Sequence, residues 1–136
     1  MPDDHLNYPD MIAEATREAA LHGLMTSTAE RDQCLFVTLT YDRQPGVVSS
    51  RREVTFWTSG TGAFLINLDQ RWSWNVMAYE RAAQIEAIHD IVRVAHHYLS
   101  GAGEETCGPG RRGRPRLVLH VDGDQVVLQE RKPPGR

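Results

Sequence analysis

From about Ser73 to Leu99 the chain keeps one apolar stripe at helical spacing, and a helix of that length needs a broad surface to lie on. Trp74, Met77, Ala78, Ile85, Ile88, Val92, Ala95 and Leu99 recur on one side. Glu80, Glu86, Asp90, Arg93 and His97 fall largely opposite. The period predicts a central core helix that closes at Ser100-Gly101, where glycine suits a left-handed cap. Its apolar side requires an opposing layer, and the rest of the chain must supply it.

The opposing layer is written as strands. Cys34 to Thr40 is rich in β-branched and aromatic residues. Glu53 to Thr58 sets Val54, Phe56 and Thr58 against Thr55 and Trp57, and Ser59-Gly60-Thr61-Gly62 turns the chain into Ala63 to Leu68. Between these runs, Gln44-Pro45-Gly46 is turn chemistry, in a loop that extends to Ser50. Leu117 to Val121, the turn Asp122-Gly123-Asp124, and Gln125 to Glu130 form a second hairpin. Ahead of all of them, Pro9, Asp10, Glu14 and a run of alanines predict a helix to about Gly23. That helix carries Ile12, Ala15 and Ala19 on one stripe and Ala20, Leu21 and Leu24 on another. Thr26 to Asp32 reads as a polar connection.

The predicted order is α-β-β-β-α-β-β. The expected fold is α+β, one domain with an antiparallel sheet of about five strands and two helices on one face. Residues 9–130 make up that domain, with a basic flexible loop at 101–116. Residues 1–8 are read as a mobile N-terminus and 131–136 as a disordered tail. This order is similar to that of small secretion-chaperone-like folds, and that resemblance implies peptide binding and dimerisation. The first five elements are also similar in order to a double-stranded-RNA-binding domain. The start of the second helix, Trp72-Ser73-Trp74-Asn75, carries none of the lysines such a domain uses on phosphates, so that reading is set aside.

At 136 residues, 40% hydrophobic and 24% charged, the chain can bury a core without disulfides or metal staples. No apolar run approaches the length of a membrane span. The acidic start Met1-Pro2-Asp3-Asp4 lacks the basic-then-apolar pattern of a signal peptide, so a cytoplasmic location is expected. Cys34 and Cys107 stand apart, with no zinc-finger spacing around either. The net charge of −3 hides an asymmetry: residues 1–107 hold 8 Arg against 15 acidic residues, and residues 108–136 hold 7 basic against 3 acidic. An acidic body with a basic end concentrates its attraction for anions in one place.

That basic end contains Gly108-Pro-Gly-Arg-Arg-Gly-Arg-Pro-Arg116. Its core, Arg112-Gly113-Arg114-Pro115, resembles an AT-hook. The resemblance implies a narrow extended backbone from which Arg112 and Arg114 enter the minor groove of A·T-rich DNA, while Arg111 and Arg116 meet phosphates.

Other candidates come from residue type and spacing. A metal or acid–base site on the long helix would use His89 and His96. The two lie about 20° apart around the axis but about 10 Å apart along it, too far to share an ion without other ligands. No metal and no cofactor are expected. Gly60-Thr61-Gly62 lacks the lysine ending of a phosphate loop and is read as a hairpin turn. Ser49 and Ser50 lack a nucleophile elbow. Trp57 alternates with Phe56 on its strand, so the two point to opposite sheet faces, and helices on one face leave the other for a partner.

The expected function is a small non-enzymatic module that uses its sheet face to dimerise or hold a protein partner. The alternatives are a DNA-associated regulator using the hook-like loop, and a histidine-dependent hydrolase or metal enzyme built on the long helix.

Overall fold

The computed structural model describes residues 5–41, 51–107 and 113–131. It begins with α1, Tyr8–Leu21, whose start is chemically marked. The Asn7 side chain accepts a hydrogen bond from the Asp10 N–H at 2.8 Å, and Pro9 sits in the first turn, where a missing N–H costs nothing. The helix stops at His22 and Gly23, the latter at φ +73°.

Among the described residues eight strands follow, not about five: β1 Leu24–Arg31, β2 Cys34–Tyr41, β3 Val54–Thr58, β4 Ala63–Leu68, β5 Trp72–Met77, β6 Glu104–Cys107, β7 Pro115–Val121 and β8 Asp124–Glu130. Helix α2, Arg81–Leu99, lies between β5 and β6. The order is thus α-β-β-β-β-β-α-β-β-β, in one antiparallel sheet arranged β1-β2-β3-β4-β5-β8-β7-β6. Its two halves meet where β5 pairs with β8, through Trp72↔Glu130 and Ser73↔Gln129.

Each additional strand has a physical reason for having been hidden. β1 is an edge strand exposed on both faces beyond Leu24 and Thr26, so it carries no buried-exposed alternation. β6 is four exposed residues long. β5 is a correction to the long helix, which starts at Arg81 and not near Ser73. Trp74, Met77 and Ala78 satisfy helical spacing, but Trp74 and Met77 pair along β4 in the register from Leu68↔Trp72 to Ala63↔Met77, and Ala78 follows the strand, its N–H donating to the Gly62 carbonyl. A tight turn at Asp69-Gln70, both at positive φ, forces that pairing.

Sheet and helices share one core. Leu35, Val37, Leu39, Val54, Phe56, Phe64, Ile66, Leu68, Leu117, Leu119 and Leu128 point inward from five strands and are fully buried or nearly so. Against them lie Ile88, Ile91, Val92 and Ala95 of α2, and Met11, Ala15 and Ala19 of α1. Each large side chain buried this way contributes about 1.5–3 kcal/mol. The α1 stripe runs through Met11, with Ile12 beside it, while Ala20 and Leu21 face solvent. Leu24 is buried, as the first residue of β1.

The two helices run parallel, joined by Asp10–Arg81, Glu14–His89 and Glu18–Arg93. Within residues 1–8, Leu6 is buried and its N–H donates to the Gln84 side-chain oxygen at 2.7 Å. The Gln84 amide in turn donates to the Ala78 carbonyl, so one buried glutamine fastens the N-terminal segment and the start of α2.

Candidate interaction face of the sheet

Because both helices lie on one side, every second residue of the sheet is left facing away from them, and no described element lies across that face. The strand registers arrange its side chains in rows. One row runs Ala29, Phe36, Trp57, Leu65, Asn75 across β1 to β5. The next runs Ser27, Thr38, Thr55, Asn67, Ser73, Gln129, Arg116, Thr106 across the whole sheet. The first row is aromatic and aliphatic at its centre, and the second is almost wholly hydroxyl and amide.

The apolar row is ordered by ring contacts. Phe36 and Trp57 are near-parallel, with centroids 6.0 Å apart, and the Arg31 guanidinium lies 4.4 Å over the Phe36 ring. Beside it, the Thr38 and Thr55 hydroxyls hydrogen-bond at 3.0 Å. Phe56, by contrast, is fully buried under the helices, as strand alternation requires.

Next to Trp57 the face sinks into a depression of about 440 Å³. Leu65, Asn67, Ser73 and Asn75 border it together with Arg114 and Arg131. The tertiary structure therefore gathers two separate sequence candidates, Trp57 and Arg114, around one hollow. Arg131 is held nearby, its N–H donating to the Arg71 carbonyl and its guanidinium to the Gln70 side chain.

The rest of the hook-like segment divides. Arg111 and Arg112 lie outside the described residues. Gly113 and Arg114 precede β7, and Arg114 is exposed. Pro115 and Arg116 belong to β7, with Arg116 paired to Thr106 on one side and Gln129 on the other. The expected turn at Gln44-Pro45-Gly46, Ser49 and Ser50, and tail residues 132–136 also lie outside the described residues.

The long-helix histidines are placed apart. His89 is 3.0 Å from Glu14 across the α1–α2 contact. His96 packs among His22 at 4.8 Å, His97 at 5.6 Å and Tyr41, whose hydroxyl donates to the His96 carbonyl. Burial, aided by the positive charge of His22 and His97, holds His96 below the ordinary histidine value. Among the described residues no group of three or more His, Cys, Asp or Glu is placed to hold a metal ion.

A second hollow, of about 450 Å³, opens at the end of β5 and is lined by Arg51, Arg52, Asp69, Arg71, Trp72, Tyr98 and Glu105. Its polar groups are mostly turned on one another. The Asp69 carboxylate accepts from the Arg52 and Glu53 N–H groups and from the Tyr98 hydroxyl at 2.7 Å. Arg51 covers the Tyr98 ring and donates to two carbonyls, and Arg71 pairs with Glu105 and Glu130 over Trp72. Burial, with Asp69 adding to it, holds Tyr98 far above the ordinary tyrosine range, so it serves as a fixed donor. This arrangement locks α2 to the β4–β5 turn.

No protein-family model matches the chain, and no curated protein or solved structure matches it either.

Proposed function

We propose that this chain is a non-catalytic binding module that holds a protein partner on the open face of its sheet. The observation that carries this reading is the Phe36–Trp57–Leu65 strip lying beside a hollow rimmed by Arg114 and Arg131. Aromatic side chains and arginines are the residues that concentrate binding energy at protein interfaces. The hydroxyl and amide row alongside them supplies hydrogen bonds without the desolvation cost of charges.

The test is retention of cellular proteins on immobilised wild type, Trp57→Ala and a charge-neutral variant on the opposite surface. Partners held by wild type and the control but lost, or weakened at least tenfold, with Trp57→Ala support the face. Identical retention by all three sinks it.

A second reading has its own support in Arg114 and Arg131, two guanidiniums on the rim of the same hollow next to the hook-like segment. On this reading the protein is DNA-associated, and A·T-rich duplex binds through residues 111–116. Titrating A·T-rich and G·C-rich duplexes by anisotropy over a salt series tests it. Selective binding that weakens steeply with salt and is lost in Arg112→Ala/Arg114→Ala supports it. No complex at low salt removes it.

A further inference from the structure

The two edges of the sheet are built differently. β6 is four residues long and opens with Glu104-Glu105, the brevity and charge that keep an edge from pairing with another chain. β1 is not short, and its charges, Glu30 and Arg31, are confined to its last two residues. It runs eight residues in unbroken register with β2, from Leu24↔Tyr41 to Arg31↔Cys34. Its first six residues, Leu-Met-Thr-Ser-Thr-Ala, carry no charge, no proline and no bulge. Its outer side pairs with no described strand.

The turn fixes which backbone groups are left over. Asp32 and Gln33, at φ +53° and +64°, make a two-residue hairpin turn. In such a turn the flanking pair, here Arg31 and Cys34, is hydrogen-bonded, and bonded pairs then alternate along the ladder. Leu24, Thr26, Thr28 and Glu30 therefore direct their N–H and C=O groups to the open edge. An edge of this kind recognises an extended backbone.

We propose that β1 pairs antiparallel with β1 of a second copy of this chain, about a two-fold axis at Ser27, joining two sheets into one. The strand is self-complementary in that register. Thr26 faces Thr28, Met25 faces Ala29, and Leu24 faces Glu30, so no charge meets its like. Two otherwise unexplained features are accounted for. Met25, 53% exposed on the strand, gains an apolar neighbour. The Thr26 hydroxyl, buried and without a hydrogen-bond partner among the described residues, gains one in Thr28, a cross-strand pairing that threonines commonly make. Trp57 lies on the open face of β3 and takes no part, so this contact is independent of the partner site proposed above.

Sedimentation of the full chain at tens of micromolar tests the proposal. A dimer is expected. Thr28→Pro removes an outward N–H while sparing the ladder to β2, and Ser27→Glu sets two like charges on the axis. Each should yield a monomer whose circular dichroism is unchanged. Should Thr28→Pro fail to fold, Ser27→Glu and a crosslink decide. With Cys34 and Cys107 replaced by Ser, Ser27→Cys should form a disulfide-linked dimer on mild oxidation. A monomeric wild type, a dimer that survives Ser27→Glu, or a Ser27→Cys chain that does not crosslink would each overturn the proposal. A monomeric wild type that binds an extended segment of another protein would do so too.

Discussion

Gln33 and Gln70 do a job usually given to glycine. Each is the second residue of an Asp-Gln turn, at φ +64° and +63°, a left-handed conformation that costs a side chain about 1 kcal/mol. The third such turn, Asp122-Gly123, has the expected glycine and is legible in the sequence for that reason. Asp32-Gln33 and Asp69-Gln70 carry half of the signal, and each has beside it one of the strands hidden from a local reading, β1 and β5. Gln33→Gly should therefore stabilise the protein by up to about 1 kcal/mol, less the entropy glycine adds to the unfolded chain. Denaturant unfolding checks this; a loss of stability would mean that the Gln33 side chain has a packing role. Gln70 is the poorer test, because its side chain also accepts from Arg131.

Among the elements, the α1–α2 contact is the one whose strength follows pH. His96 is held below its ordinary value of 6.5 by burial first and by His22 and His97 second. The unfolded chain thus binds more protons than the folded chain between 6.5 and the lowered value. Stability from this group is fully present above 6.5 and is lost as pH falls through that window. Glu14 adds a second, more acidic loss. Hydrogen bonds from Arg17 first and His89 second hold its carboxyl below the ordinary 4.5, so its contribution disappears only as pH falls beneath that value. Melting temperature should consequently decline in two stages on acidification, and His96→Gln should flatten the first. A profile level from pH 7.5 to 5.5 would show that folded and unfolded chains bind protons alike there, and that burial does not depress His96. The histidines were visible on the helix, but their partners were not. Glu14 lies on α1 and His22 caps its end, far away in sequence, and only helix packing brings them to His89 and His96.

For the whole molecule, the open face and the β1 edge are separate surfaces, one reached through side chains and the other through backbone. Trp57→Ala should weaken partner retention and leave the sedimentation coefficient unchanged. Ser27→Glu should halve the mass and leave retention unchanged. If either variant altered both properties, the two surfaces would be a single interface. What the sequence by itself determined is the α+β class, the first helix, the strands at Cys34–Tyr41, Val54–Thr58, Ala63–Leu68, Pro115–Val121 and Asp124–Glu130 to within a residue or two, and the placing of Phe56 and Trp57 on opposite faces of the sheet. These follow from hydrophobic period and turn residues, which act over a few neighbours. What only the tertiary structure decided is the strand count, the placement of Trp74 on a strand instead of a helix, the pairing of β5 with β8, which of Phe56 and Trp57 faces away from the helices, and the placing of Trp57 and Arg114 around one hollow. Trp74 fits either period, since it also alternates with Trp72 and Val76 on the core side of a strand, and hydrogen bonding to β4 selects that one. Register across sequence-distant strands is set by packing and ladder hydrogen bonds, and no local pattern carries it.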